Sequence, residues 1–251
     1  MGRSLIALRL VLLLFLPLSV AFGDSESSIT FGAFIDAHIA HDFNDPPTRY
    51  RQYTTQPYYT DELALNLVHV DAVVKHNNFR GRLALQYGSS VDANYTQEPK
   101  ELVRYIQEAY GGVALSPVWK IDAGVFFSHF GPESWISRDN YTLSRSLVSD
   151  YSPYYQSGIR STHELSDDLH TEFHIVRGWQ NISDDRNPCY GTQVRYSPGE
   201  TSRLFYNTFI GDEDGLRVFN NIVLTHEFSH SFGVSSSFDF GVQNRSEQSR
   251  A

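Results

Sequence analysis

The sequence predicts an all-β fold, an antiparallel up-and-down transmembrane β-barrel, and three observations predict it. Side chains alternate between apolar and polar in segment after segment, the connections between these segments alternate between long and short, and the side opposite each apolar stripe is too sparse in charge for an ordinary water-facing surface. Composition sets the frame. Of 251 residues, 41% are hydrophobic and 20% charged, which excludes a disordered chain. After the first residues no stretch approaches the roughly 18 apolar residues of a spanning helix, which excludes a helical membrane protein. Basic residues number 20 against 29 acidic ones, a balance that excludes general nucleic-acid binding. Cys189 is the single cysteine, so no internal disulfide can form.

Residues 1–23 read as a secretory signal. Arg3 and Arg9 precede an apolar stretch from Leu10 to Val20, and Ala21 with Gly23 makes a small-x-small cleavage site. Residues 24–251 are then the barrel domain.

The strands follow in order. From Ile29 to Asp42, Ile29, Phe31, Ala33, Ile35, Ala37 and Ile39 alternate with Thr30, Gly32, Asp36, His38 and Asp42. Leu63 to Val74 is a strand whose faces cannot be assigned, because its alternation is irregular. Phe79 to Ser90 sets Phe79, Leu83, Leu85 and Tyr87 against Arg80, Arg82, Gln86 and Ser90. Val103 to Leu115 is again irregular. Val118 to Ser128 sets Trp119, Ile121, Ala123, Val125 and Phe127 against Lys120, Asp122, Gly124 and Ser128. Further strands are expected near Tyr154 to His163, Leu169 to Trp179, Gly191 to Tyr196, Arg203 to Gly211 and Phe232 to Gln243, and Val218 to Thr225 is a third irregular strand whose faces are not assigned. Eleven strands result, and no amphipathic helix is expected.

The gaps after the first, third, fifth and seventh strands are long, and those between them are tight turns, a rule that weakens only after Asp212. Long loops at one rim and short turns at the other are the habit of an outer-membrane barrel, whereas Greek-key crossings of a sandwich have no reason to alternate so regularly. Glycines and sparse charges opposite the apolar stripes suit a crowded aqueous lumen. Phe31, Tyr87, Trp119, Phe127, Tyr155, Tyr196 and Tyr206 on the apolar side suit interfacial girdles.

Several stretches also resemble a known family: AHDFNDPP (Ala40 to Pro47), FRGRLALQYG (Phe79 to Gly88), ANYTQEP (Ala93 to Pro99), IDAGVFFSHFGPES (Ile121 to Ser134), DNYTLSRSL (Asp139 to Leu147), SPYYQSGIR (Ser152 to Arg160) and GWQNI (Gly178 to Ile182) are similar to the OmpL-like β-barrel porins. The resemblance covers most of the chain after the leader. It implies a Gram-negative outer-membrane barrel acting as a passive porin. Such barrels finish on a strand with a terminal aromatic residue read by the insertion machinery, whereas this chain ends Ser-Arg-Ala after an odd number of strands. The expectation is a barrel incomplete at its C-terminus.

A competing motif lies at His226-Glu227-Phe228-Ser229-His230, a literal H-E-x-x-H. Zinc would need His226 and His230 one helical turn apart with Glu227 as base, but the flanking residues predict strand, tight turn, strand. A secreted zinc metalloprotease is therefore only a remote alternative, with Ser236 where a third histidine would stand. Cys189 is expected in a loop, and no G-x-S-x-G elbow nominates a hydrolase.

The function expected is passive diffusion of small hydrophilic solutes through a charged lumen in the bacterial outer membrane. Arg80, Arg82, Lys120, Asp122, Arg160 and Arg195 are expected on the lumen wall, balanced by Asp36 and Glu108. The segment from Gly131 to Ser152 is the candidate constriction loop, carrying Trp135, Arg138, Asp139 and Arg145; its alternative is an external cap packed by Trp135 and Tyr141. A non-conducting scaffold or surface-binding barrel is the alternative function, and a soluble exported sandwich that binds carbohydrate is a third. Outer-membrane lipid, small hydrophilic solutes and the barrel insertion machinery are the expected partners, with oligomer formation open. No enzyme activity, cofactor, metal or nucleic acid is expected.

Overall fold

Tight turns join consecutive strands at one rim and, as far as the strand ending at Asp212, long loops join them at the other, so each strand pairs antiparallel with the next and a single sheet results. The computed structural model of the chain describes residues 18–22, 27–183, 187–213 and 215–244. Its strands are β1 (Leu18–Phe22), β2 (Ser27–Ile39), β3 (Leu63–His76), β4 (Phe79–Tyr87), β5 (Ile106–Ser116), β6 (Trp119–Phe127), β7 (Tyr155–Glu164), β8 (Leu169–Val176), β9 (Cys189–Tyr196), β10 (Ser202–Asp212), β11 (Leu216–Ser229) and β12 (Phe232–Gln243). Their order in the sheet is their order in the chain. Strands β2 to β12 match the eleven expected. β1 lies within the segment read as a signal and pairs with the start of β2. Among the described residues β12 has only β11 as a neighbour, so the sheet is not closed.

The sheet is inside-out relative to a soluble protein. On β2 the buried side chains are Phe34, Asp36 and His38, while Phe31 and Ile39 are exposed. On β4 Gln86 is buried, whereas Phe79, Leu83, Leu85 and Tyr87 are exposed. The same holds on β8, where His174 is buried between the exposed Phe173 and Ile175. Strand alternation thus sends the polar series to a buried inner face and the apolar series outward. Trp119 and Tyr196 stand on the outer face at the short-turn rim, and Tyr87 and Tyr190 at the long-loop rim. Two apolar residues of the outward series depart from the expected exposure. Val125 is 8% exposed, and Tyr155 is fully buried, stacked on Tyr95 at 4.2 Å with its hydroxyl donating to Glu98. Tyr155 therefore ties the sheet to a loop and is not part of a girdle.

The irregular strands have a physical cause. Asp36 pairs with Leu67 and Ala37 with Leu65, so Asn66 is an extra residue in β3, and Asn66 and Leu67 are both buried. Odd-numbered residues face outward before this bulge and even-numbered ones after it. Gln107 does the same in β5, where Ala84 pairs with Glu108 and Leu85 with Ile106. A bulge reverses parity, which is why neither strand shows a clean alternation.

The long loops contain short helices that the alternation did not announce: α1 (Ser89–Asn94), α2 (Leu147–Asp150) and single 3-10 turns at Glu101–Tyr105 and Ser137–Asp139. β4 stops at Tyr87 and not at Ser90, because Gly88 takes φ +139°, where a Cβ would stand 2.5 Å from the Asn66 carbonyl oxygen. α1 begins directly after it. Cys189 is the first residue of β9 and is buried against Phe126, Phe130, Val176 and Phe209, so it is not in a loop.

Candidate functional site

The inner face gathers charges from non-adjacent segments into a paired belt. Along one row of the sheet the register runs Arg80, Gly112, Asp122, Arg160, His174, Gly191. Asp122 has no solvent exposure and accepts hydrogen bonds from Arg80 Nε and Nη2, both at 2.7 Å, and from Arg160 Nη2 at 2.9 Å. Arg80 can reach Asp122 across the intervening strand because Gly112 has no side chain; a Cβ there would meet Asp122 Oδ1 at 2.1 Å and the Ile121 carbonyl oxygen at 2.7 Å. Nearby, Arg82 pairs with Glu108 at 2.6 Å and reaches Asp71 at 3.6 Å. Towards the short-turn rim Lys120 pairs with Glu164. The belt is largely self-neutralising, as the inner wall of a crowded lumen requires.

Of the residues expected on the wall, Arg80, Arg82, Glu108, Lys120, Asp122 and Arg160 stand together on the inner face. Arg195 stands on β9 opposite His170 and Phe205, away from Asp122. Among the described residues Asp36 is placed in no ion pair with the wall arginines Arg80, Arg82, Arg160 or Arg195. It is 1% exposed and accepts from Asn66 Nδ2 and Ser137 Oγ, each at 2.8 Å, which makes it an anchor for a loop.

Asp71, His69, Glu172, His174 and His129 join the inner face without having been singled out. His69 Nε2 lies 3.3 Å from Asp71, and His174 Nε2 lies 3.0 Å from Glu172. The His129 ring stacks on His174 at 4.1 Å and is bracketed by Gln156 and the Thr208 carbonyl oxygen. The Glu172-x-His174 alternation was readable in the sequence. Asp71 was not, since it follows the β3 bulge.

Loop 128–154 folds inward against this wall. Trp135 is 3% exposed and donates from Nε1 to Gln86 Oε1 at 2.9 Å, while its carbonyl oxygen accepts from Gln56 Nε2. Gly131 N donates to Asn221 Oδ1 on β11. The guanidinium of Arg138 lies 5.4 Å over the Phe34 ring and pairs with Asp139, and that of Arg145 lies 4.2 Å over Tyr154. Tyr141 is exposed and packs no cap. The loop is internally latched. Glu133 accepts from Ser146 N, Ser146 Oγ and Ser149 Oγ, and although burial raises its pKa, these hydrogen bonds and Arg145 outweigh it and hold the carboxyl below its ordinary 4.5.

The H-E-x-x-H residues take the strand-and-turn form. His226 and Glu227 lie in β11, which runs to Ser229, and His230 lies in the turn before β12. His226 Nδ1 is 2.8 Å from Ser202 Oγ, so the helical turn that would set two histidines on one ion is absent.

Residues 28–251 match the family described as "Putative beta-barrel porin-2, OmpL-like". No curated protein and no solved structure matches the chain.

Proposed function

The chain belongs to the OmpL-like β-barrel porin family, and from that premise we propose that it sits in the bacterial outer membrane and passes small hydrophilic solutes by passive diffusion. The observation that carries the reading is the pairing of Arg80 and Arg160 with Asp122 on a buried polar face whose reverse is apolar and exposed. A polar interior within an apolar exterior is the distribution that lipid selects and bulk water does not. Cleavage after Gly23 would remove β1 and leave β2 to β12 as the exported sheet. Selectivity would be set where loop 128–154 narrows the lumen beside the paired belt. The proteolytic alternative gains nothing from the β11 strand, and the reading here is of a non-enzyme.

The test is planar-bilayer recording of the purified chain in KCl. Discrete conductance steps are expected, and a protein that inserts without conducting overturns the diffusion reading. A second reading, a non-conducting scaffold, is favoured by the inward fold of that loop, with Trp135 and Ile136 buried. Deleting 134–146 separates the two. A porin conducts before the deletion and more afterwards, whereas a plugged scaffold conducts only afterwards.

A further inference from the structure

Strands β9 and β10 carry two inward arginines that no carboxylate neutralises. Phe205 pairs with Arg195 on one side and Val223 on the other, and Arg203 pairs with Thr225. Val223 is fully buried on the inner face, so strand alternation puts Arg195, Phe205 and Arg203 on that face together. Tyr196 and Leu204, which pair with each other between them, are exposed on the outer face. His170 stands across from Arg195 on β8. Arg203 is exposed and Arg195 half-buried, so water in the lumen reaches both.

The other arginines within strands are all in ion pairs: Arg80 and Arg160 with Asp122, Arg82 with Glu108, and Arg217 with Glu213 at 2.8 Å. Among the described residues Arg195 and Arg203 are in none, and neither guanidinium makes a hydrogen bond. Two carboxylates stand near by register. Glu164, on the far side of His170, is taken by Lys120. Glu227 follows Thr225 along the inner side of β11, and among the described residues it is in no ion pair with Arg203. Like charges on neighbouring strands repel, and a carboxylate between them would relieve that repulsion in a chain with 29 acidic residues against 20 basic ones. Phe205 stands between them instead. Its ring keeps the surroundings poorly polar, which strengthens the pull of both guanidiniums on a solute anion.

Diagonal positions on an antiparallel pair lie about 7–8 Å apart, a span that two arginine side chains can close on one ion. Guanidinium forks arriving from two strands match an oxyanion with several oxygens, such as phosphate or sulfate, better than a spherical halide. Gln193, the next inner residue of β9, and Phe205 both line the cavity beside loop 128–154, so the pair stands between the short-turn rim and that loop.

We propose that Arg195 and Arg203 form a binding subsite for a small oxyanion on the lumen wall. The proposal deepens the porin reading, on which the lumen itself rests, by naming the solute class that the wall holds in transit.

The test is equilibrium dialysis of the full chain, in zwitterionic detergent micelles at low ionic strength, against radiolabelled inorganic phosphate. Saturable, equimolar binding is expected, weaker by about tenfold or more in Arg195→Gln and in Arg203→Gln, as the loss of a charge-assisted contact implies. Neither residue has a partner to lose, so both variants should refold. Lys75→Gln removes an exposed cation on the inner side of β3, six strands away from β9, and should leave phosphate affinity unchanged. Absence of saturable binding overturns the proposal, as does unchanged affinity in both arginine variants. An equal loss in Lys75→Gln also overturns it, because phosphate would then follow only the summed charge of the lumen. Conductance in KCl is recorded on the same preparation without phosphate. Channels without phosphate binding remove the subsite and leave the porin standing; phosphate binding without channels does the reverse.

Discussion

Asp122 concentrates the residue-scale logic, because one fully buried carboxylate is shared by two guanidiniums from different strands. Removing one member of such a set leaves the others charged in a poorly solvated place, typically at about 3–5 kcal/mol. Asp122→Ala should therefore lower the urea midpoint of unfolding sharply and, in bilayer recording, move the reversal potential toward anions. Neutralising Arg80 together with Arg82 should move it toward cations, since Asp122 keeps only Arg160, Glu108 loses its arginine and Asp71 keeps only His69. If neither variant shifts the potential, the belt lies off the conduction path. Gly112 is part of the same device. Gly112→Ala must displace Asp122 or the Ile121 carbonyl, at about 1–3 kcal/mol, although the position looks like an unremarkable small residue in the sequence.

Single elements differ in how much of themselves they disclose in advance. β2, β4, β6 and β8 alternate without interruption along their inner and outer series, so counting by two gives both strand and face. β3 admits one extra residue, Asn66, and β5 two, Gln107 and Leu115, and a count by two then averages the opposed parities to nothing. The strands could be found there but the faces could not, and Asp71 was lost with them. Loop 128–154 was legible as a long connection with unusual charge. Its direction was not, because that depends on Asp36, Gln86 and Asn221, contributed by three distant strands. Within the loop, Glu133 makes a pH-sensitive latch. A carboxyl whose folded pKa lies below its ordinary 4.5 contributes stability that is complete above that value and is lost as pH falls through the folded value. Channel noise and Trp135 fluorescence should accordingly stay flat from neutral pH down to the ordinary carboxylate range and change below it. Glu133→Gln should show the acid behaviour at neutral pH. A transition centred near pH 6 would exclude Glu133 as its source.

For the whole molecule, the deciding fact is the chemistry of its outside. Val70, Leu83, Phe173, Ile210 and Phe238 are all at least 46% exposed and belong to five strands spread across the sheet. A soluble protein seldom shows contiguous apolar surface beyond a few hundred Å². A barrel in lipid must, and the cost of spoiling that surface then depends on depth. Leu83 and Phe173 lie in the middle of β4 and β8, whereas Phe79 opens β4 at the short-turn rim. Leu83→Arg and Phe173→Arg should each destabilise the protein refolded in bilayers by about 2–4 kcal/mol, against about 0–1 kcal/mol for Phe79→Arg. The same three substitutions in detergent-free buffer discriminate the soluble sandwich, for which an arginine on any water-facing site is nearly neutral and helps solubility. A flat response across the three positions would mean that no hydrocarbon layer surrounds the sheet, and the outer-membrane reading would fall with it. A graded response fixes the membrane midplane across Leu83 and Phe173. That places the Asp122 belt, one row from Phe173 and three from Leu83 on the inner face, in the interval where only an enclosed aqueous lumen can keep so many charges hydrated.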